Sequence, residues 1–170
     1  VPMEYYRRDM FFEDTGLVYL PATPYLPTPD SALLFAGTGI LEATALSVGL
    51  GTACPYQVAG APWLDGYKLA RNLNARKLEG ILFRPVRFLP GQGKYQGVRC
   101  GGVQLHLTDK KEVRPIKAAL SLLQEVSNMA PASVELFPPE GGDPAVSLFD
   151  YYAGTSRVRS SVRDIDYLIR

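Results

Sequence analysis

The sequence predicts a single mixed α and β (α+β) domain in which helices pack on one mixed sheet. Residues 103–108 alternate apolar and polar side chains, which is typical of a strand with one buried face. Residues 112–129 repeat apolar side chains at helical spacing. The chain has 170 residues, enough for one domain that buries a core without disulfide bonds.

The first part of the chain is predicted to form a short strand, a proline-rich loop and a short helix. Residues 17–20 are apolar or aromatic and favour a strand. Four prolines fall within 21–29, and because proline lacks an N–H and fixes φ, an ordered extended loop is expected, with a linker as the alternative. Thr28 can cap a helix that begins at Pro29 and continues over 30–35.

The later elements follow from similar patterns. Pro85 separates two apolar runs and favours an edge strand or a bend. Asp109 and Glu112 are spaced for a capping box if the following helix begins early. The predicted elements are a helix over 63–76, strands over 80–83 and 86–89, a loop over 90–97, a strand over 103–108, a helix over 112–129, a loop over 138–144, and short helices over 148–152 and 156–168.

Residues 37–65 form the stretch around which we expect the rest of the chain to be organised. This stretch is dense in glycine and carries only two charged residues, Glu42 and Asp65. Glycine lets the backbone approach a ligand closely, whereas a core segment would hold larger apolar side chains. Small hydroxyl groups lie among the glycines, at Thr38, Thr44, Ser47 and Thr52. Both a ligand-facing loop and a tightly turned structural segment fit this pattern.

The composition argues against several classes of function. The net charge of +1 predicts neither a nucleic-acid partner nor an anionic membrane partner, and no apolar run approaches the ~20 residues of a membrane span. His106 is the only histidine, so no histidine metal cluster is expected, and no cofactor-binding motif occurs. Cys54 and Cys100 lack metal-site spacing, and they are expected either to pair or to stay as free thiols.

Two charged side chains are the strongest candidates for a binding site. Glu42 is isolated among small residues, where its carboxylate is expected either to bind a ligand or to accept hydrogen bonds from neighbouring backbone amides. Lys94 lies in a glycine-rich loop, where it meets either an anionic group such as a carboxylate or only solvent. Asp65 is placed to cap a helix. No pair of acids of the kind that glycoside hydrolysis requires is evident from spacing.

An ordered series of short motifs nevertheless resembles one known family over nearly the whole chain. It resembles the C-terminal domain of the NamZ-like exo-β-N-acetylmuramidases of peptidoglycan turnover, formerly a domain family of unknown function. The matching motifs are Met10-Phe11-Phe12-Glu13-Asp14-Thr15-Gly16-Leu17, the proline-rich stretch 21–32, Gly37-Thr38, Leu41-Glu42, Gly51-Thr52, Pro55-Tyr56, Gly60-Ala61-Pro62-Trp63, Lys94 to Gly97, Cys100-Gly101-Gly102-Val103, Thr108-Asp109 and Phe149-Asp150.

The resemblance implies that residues 1–170 are the C-terminal domain of a longer protein. A Rossmann-like N-terminal domain would precede it and hold the catalytic glutamate, so no catalytic residue is expected in this chain. The two domains would form a cleft that binds a peptidoglycan-derived sugar and releases terminal N-acetylmuramic acid. An extracellular or periplasmic location would follow. The residues expected to shape the cleft and bind substrate are Glu42, Thr44, Thr52, Trp63 and Lys94.

The sequence departs from the usual family pattern at a few positions. Family members commonly read EGT-N-x-S-x-GRGT, whereas residues 42–52 read EATALSVGLGT, with Ala43, Ala45 and Leu50 as the differences. Tyr25 stands where the proline-rich loop usually has asparagine. Loss of the arginine removes a fork of donors suited to a carboxylate. Two alternative hypotheses are therefore kept beside that of a NamZ-like enzyme. The first is a non-catalytic carbohydrate-binding or assembly domain that diverged from the family, and the second is an unrelated enzyme with a cleft at this loop.

Overall fold

The computed structural model describes residues 3–138 and 147–167 and has five α-helices and three strands within them. The helices are α1 (Pro29–Thr38), α2 (Gly66–Ala75), α3 (Pro115–Met129), α4 (Leu148–Ala153) and α5 (Arg157–Ser160). The strands are β1 (Val58–Ala61), β2 (Ile81–Phe88) and β3 (Cys100–Leu107). Turns of 3₁₀ helix cover Phe12–Thr15, Gly39–Ala43 and Val162–Tyr167. The predicted α+β class is confirmed.

The three strands form one antiparallel sheet with the order β1-β3-β2. Val58 pairs with Gln104, and Phe88 pairs with Cys100. The prediction of a mixed sheet is therefore wrong for the described residues, in which all paired strands are antiparallel. The alternation of apolar and polar side chains predicts a strand but not its direction relative to its neighbours. The runs on either side of Pro85 form the single strand β2 at the sheet edge, where a missing N–H is tolerated.

The helices form layers against this sheet. Helix α2 packs on β2 and β3, and α3 packs on α2 and on α1. The core between them is built from side chains that are almost fully buried, including those of Leu34, Leu69, Leu105, Leu122 and Val126. No helix of the described residues is both long enough and apolar enough to cross a membrane.

The predicted helix starts are confirmed at α1 and α2. The Thr28 hydroxyl accepts a hydrogen bond from the N–H of Ser31, and Pro29 is the first helical residue. Asp65 caps α2 by accepting from the N–H groups of Tyr67 and Lys68. Helix α2 therefore begins at Gly66, later than predicted, because the Asp65 carboxylate satisfies the free amides of its first turn.

Two local predictions differ from the structure, and a third falls on residues that the structure does not describe. Residues 17–20 form no helix and pair with no strand of the described chain, so the predicted strand is wrong. Asp109 and Glu112 form no capping box, because α3 begins at Pro115 and Asp109 accepts from the N–H of Lys111. The loop predicted over 138–144 lies outside the described residues after position 138.

Helices α1 and α3 approach each other so closely at Gly37 that no side chain fits. A Cβ atom there would lie 2.1 Å from the Pro115 carbonyl oxygen, which belongs to the backbone. At Gly39, just beyond α1, the atoms nearest to a Cβ would be those of the Phe35 ring, at 3.0 Å, and this side chain is partly exposed.

We therefore expect Gly37→Ala to lower the free energy of unfolding by about 2–3 kcal/mol, since an overpacked backbone contact relaxes only by separating the helices. Gly39→Ala is the matched control and should change it by less than about 1 kcal/mol, because a side chain can move away. Urea denaturation of both variants measures the difference. Equal stability of the two variants would contradict the packing argument.

Candidate functional site

Two glycine-rich segments contact each other through their backbones and build the base of the candidate site. The Leu50 carbonyl accepts hydrogen bonds from the N–H groups of Gly91 and Gln92 at 3.0 and 3.1 Å. A Cβ atom on Gly51 would lie 2.7 Å from the Gly91 Cα, so this approach requires glycine. The Tyr95 hydroxyl also donates to the Ala45 carbonyl at 3.0 Å. The loop 90–97 is therefore fixed against the segment that follows the 3₁₀ helix Gly39–Ala43.

This contact brings the two strongest sequence candidates together. Glu42 lies in the 3₁₀ helix Gly39–Ala43 and is half-buried. The Lys94 ammonium group reaches across from the loop 90–97 and donates to the Glu42 backbone carbonyl. The Glu42 carboxylate instead accepts a hydrogen bond from the Tyr56 hydroxyl, with Oη and Oε1 2.8 Å apart. One carboxylate and one ammonium group thus share a small area of surface.

Both groups line a recess of about 170 Å³, which we call the Glu42 recess. Its other lining residues are Leu46, Ser47, Val48, Leu50 and Gly93. Small-molecule sites usually enclose ~300–1,000 Å³. The Glu42 recess is therefore large enough to hold only part of a ligand such as a sugar, as one wall of a larger cleft would.

Partial loss of solvent alters the pKa of two groups beside the recess. Desolvation lowers the pKa of Lys94, and the negative charge of Glu42 opposes that shift. Burial raises the pKa of Tyr56 well above its usual range, and the hydrogen bond and charge of Glu42 raise it further. Tyr56 therefore remains a hydrogen-bond donor to Glu42 throughout the physiological pH range.

The predicted threonines lie nearby, but their hydroxyls bond to their own loops. The Thr44 side chain is fully buried, and it donates to the Leu41 carbonyl at 2.7 Å and accepts from the Leu46 N–H at 3.2 Å. The Thr52 hydroxyl donates to the Gly49 carbonyl at 2.7 Å and accepts from the Cys54 N–H. These bonds fix the backbone around the recess, and contact of either threonine with substrate stays a prediction.

Trp63 lines a different cavity from Glu42 and Lys94. This cavity, of about 620 Å³, shares no lining residue with the Glu42 recess, and Tyr67, Pro85 and Arg87 are among its walls. The indole Nε1 of Trp63 is buried and has no hydrogen-bond partner among the described residues. The structure thus brings Glu42 and Lys94 together and places Trp63 apart from them.

An apolar groove of about 410 Å³ borders Glu42 on its other side. Phe35, Ile40, Ile116 and Tyr152 contribute its side chains. The sequence alone does not predict that Tyr56 and Tyr152 lie near Glu42. The unusual frequency of tyrosine, ten residues in the chain, is the one sequence signal that points toward them.

The described residues contain no group of three or more histidine, cysteine, aspartate or glutamate side chains arranged to hold a metal ion. Cys54 and Cys100 are free thiols, which settles the alternative that their spacing left open. Burial raises the pKa of the Cys100 thiol to about 11, so this group is protonated at neutral pH.

The fold and the recess define a class of protein: a small α+β domain with a recess whose lining includes Glu42 and Lys94, one acidic and one basic residue. The family model described as "Exo-beta-N-acetylmuramidase NamZ, C-terminal" matches residues 33–166. The chain belongs to this family, and the resemblance drawn from its motifs is confirmed.

Individual relatives agree with this assignment. The chain is 32% identical over 164 residues to the peptidoglycan beta-N-acetylmuramidase NamZ of Bacillus subtilis (strain 168), an alignment that covers 96% of this chain and 38% of that protein. A crystal structure of a DUF1343 family protein from Bacteroides fragilis NCTC 9343 matches with a TM-score of 0.79 and 28% identity, over 94% of this chain and 41% of the other. A second DUF1343 protein from the same organism has a TM-score of 0.55, 23% identity, and coverage of 84% and 35%, and it supports the fold alone. The chain thus spans less than half the length of these relatives.

The Tyr56–Glu42 hydrogen bond leads to a prediction for stability at high pH. Because the pKa of Tyr56 is raised on folding, the unfolded chain loses this proton first, and the free energy of unfolding falls as pH rises above about 10. Tyr56→Phe should make that fall shallower. At neutral pH it should cost about 1–3 kcal/mol, since Glu42 loses a donor.

Urea denaturation between neutral and alkaline pH measures both effects. Tyr67→Phe is the matched control, because Tyr67 is 73% exposed. Identical pH dependence in wild type and Tyr56→Phe would contradict the assignment of the raised pKa to Tyr56.

Proposed function

We propose that this chain is the C-terminal, substrate-cleft-forming domain of a glycoside hydrolase that releases terminal N-acetylmuramic acid from peptidoglycan fragments. Membership of the NamZ C-terminal family supports the reaction class. The observation that carries the cleft role is the meeting of Glu42 and Lys94 in one recess, although 52 positions separate them in the chain. The Glu42 recess is too small to enclose a sugar, so a second wall is required.

In this proposal the second wall is an N-terminal domain of the same protein, which also supplies the catalytic acid. The relative from Bacillus subtilis is more than twice as long as this chain, which leaves room for such a domain. Glycoside hydrolysis commonly uses two carboxyl groups on opposite sides of the scissile bond. Among the described residues Glu42 is the one carboxylate that lines the recess. An extracellular or periplasmic location follows from the proposed substrate.

Lys94 is the residue we assign to the acidic group of the substrate. N-acetylmuramic acid differs from N-acetylglucosamine by a lactyl ether that ends in a carboxylate. Lys94 carries the one cationic side chain among the described residues that line the recess. Its partly desolvated ammonium group attracts a carboxylate more strongly than a fully solvated one would, because less water has to be displaced on binding.

A second candidate function is a carbohydrate-binding domain without catalysis. The observation that favours it is Leu50, which lines the recess where the usual family pattern has arginine. An apolar side chain at this position keeps the shape of the wall and removes a fork of hydrogen-bond donors. In this case the chain binds the sugar, and the full-length protein does not hydrolyse it.

The deciding experiment is an assay of the full-length protein that contains this chain with p-nitrophenyl β-N-acetylmuramide. We expect release of nitrophenol from the full-length protein and none from residues 1–170 alone, because the catalytic acid lies outside the chain. The matching N-acetylglucosaminide, which lacks the lactyl carboxylate, is the control substrate and should react more slowly. Release no faster than the blank from folded full-length protein would reject the enzyme proposal, and sugar binding without release would support the second candidate.

The assignment of Lys94 predicts a pH dependence of sugar binding. Affinity for N-acetylmuramic acid should fall as pH rises through the lowered pKa of Lys94, since the ammonium group then loses its charge. Affinity for N-acetylglucosamine should not show this fall. In Lys94→Gln the pH dependence should vanish and muramic-acid binding should weaken roughly tenfold, as expected for one charge-assisted hydrogen bond.

Calorimetric titration of the full-length protein measures these affinities. Lys68→Gln removes an equal charge from the exposed face of α2 and serves as the control. An unchanged pH profile in Lys94→Gln would show that Lys94 does not meet the lactyl group.

A further inference from the structure

Residues 17–20 expose an unusual amount of apolar surface. The side chains of Leu17, Val18 and Leu20 are 62%, 82% and 80% exposed. Single exposed apolar side chains are common on protein surfaces, but a contiguous group marks an interaction site. The residue types are also those that favour strands. We call residues 17–20 the exposed segment.

The backbone of the exposed segment forms no helix, strand or turn, and over positions 18–20 it lacks hydrogen-bond partners in the described part of the chain. Within the described residues, no backbone N–H or C=O group of positions 18–20 takes part in a hydrogen bond. A backbone with free donors and acceptors beside apolar side chains is a template on which another strand can pair. Natural proteins usually protect such edges with charge, proline or a covering element. Pro21, directly after the segment, is a residue of this protective kind.

Contacts on both sides hold the exposed segment in place. The ring of Tyr19 packs edge-on against Phe12 at a centroid distance of 5.2 Å, and its hydroxyl donates to the Leu26 carbonyl at 3.0 Å. Before the segment, the Lys110 ammonium group bridges the carboxylates of Glu13 and Asp30, which fixes the 3₁₀ helix Phe12–Thr15 next to α1. The segment therefore presents its apolar side chains in a defined orientation, which lowers the entropy cost of binding.

We propose that the exposed segment is the docking strand for an N-terminal region of the longer protein. This rests on the proposed function in one respect, namely that such a region precedes the chain. The matched family model is a C-terminal one, and the alignment covers only 38% of the relative from Bacillus subtilis. The remaining length in that relative is sufficient for a separate domain.

Hydrogen exchange in the full-length protein and in residues 1–170 tests this contact directly. We expect the amides of Val18, Tyr19 and Leu20 to exchange at least about tenfold more slowly in the full-length protein, because paired amides exchange only through local opening. Equal exchange in the two proteins would overturn the proposal. Slow exchange already present in residues 1–170, and lost on dilution, would assign the segment to self-association and would also overturn it.

A matched pair of substitutions tests the same contact through stability. Val18→Lys and Leu82→Lys each place one charge on an exposed apolar position, and Leu82 lies on the edge strand β2 with 54% exposure. Neither should change the melting temperature of residues 1–170, because both side chains face solvent there. In the full-length protein only Val18→Lys should lower the melting temperature and restore fast exchange at positions 19 and 20. Equal effects of the two substitutions in the full-length protein would overturn the proposal.

Activity separates this inference from the proposed function. Protection of the exposed segment from exchange without release of nitrophenol would support the docking-strand proposal and contradict the proposed hydrolase activity. Release of nitrophenol without protection of the exposed segment would support the proposed hydrolase activity and overturn the docking-strand proposal.

Discussion

The backbone contact between Gly51 and Gly91 is the constraint on which the geometry of the candidate site depends. The two segments of the chain lie so close together that a Cβ atom on either glycine would fall within 2.7 Å of the other glycine's backbone. The Leu50 carbonyl accepts two hydrogen bonds across the same contact. The loop 90–97 connects β2 to β3, so this contact also ties the recess to the sheet edge. Lys94 reaches the Glu42 carbonyl only because its loop is held in this position.

The same constraint explains the electrostatics of the recess. A loop held close to the segment 44–52 removes water from the Lys94 ammonium group without providing a carboxylate partner, because Lys94 donates to a backbone carbonyl. The Glu42 carboxylate is satisfied by Tyr56. Each charged group thus keeps hydrogen-bonding capacity for a ligand, since Glu42 and Lys94 do not neutralise each other through their side chains. A direct ion pair at this position would have consumed both charges.

Local sequence signals predicted those elements that depend on local interactions. The Thr28 cap and the α3 pattern involve groups only a few residues apart, so spacing was sufficient. Strand β1 was missed because its four residues are all buried and show no alternation. The strand predicted over 17–20 has the right residue types, but a strand also needs a neighbour, and the described residues provide none.

The site could be predicted residue by residue but not as an arrangement. Glu42 and Lys94 stood out because each is an isolated charge among glycines, yet their meeting depends on how the two loops pack, which the sequence does not encode locally. Trp63 follows β1 in the chain, and the turn after that strand places it at a different cavity. The local hydrogen bonds of Thr44 and Thr52 could not be foreseen from the glycine-rich pattern, although a hydroxyl two or three residues from free backbone groups commonly bonds to them.

Leu50 shows how the wall can keep its shape while its recognition chemistry changes. Its backbone carbonyl makes the contact with the loop 90–97, and this role is independent of the side chain. The side chain lines the recess, where the usual family arginine would offer a planar fork of donors. In the proposed function, with leucine at this position, an anionic substrate group would meet the single ammonium group of Lys94, which acts as a point charge without bidentate geometry. In the proposed function, attraction for the carboxylate therefore persists, while control over its orientation passes to the apolar surface of Leu50 and to the opposite wall of the cleft.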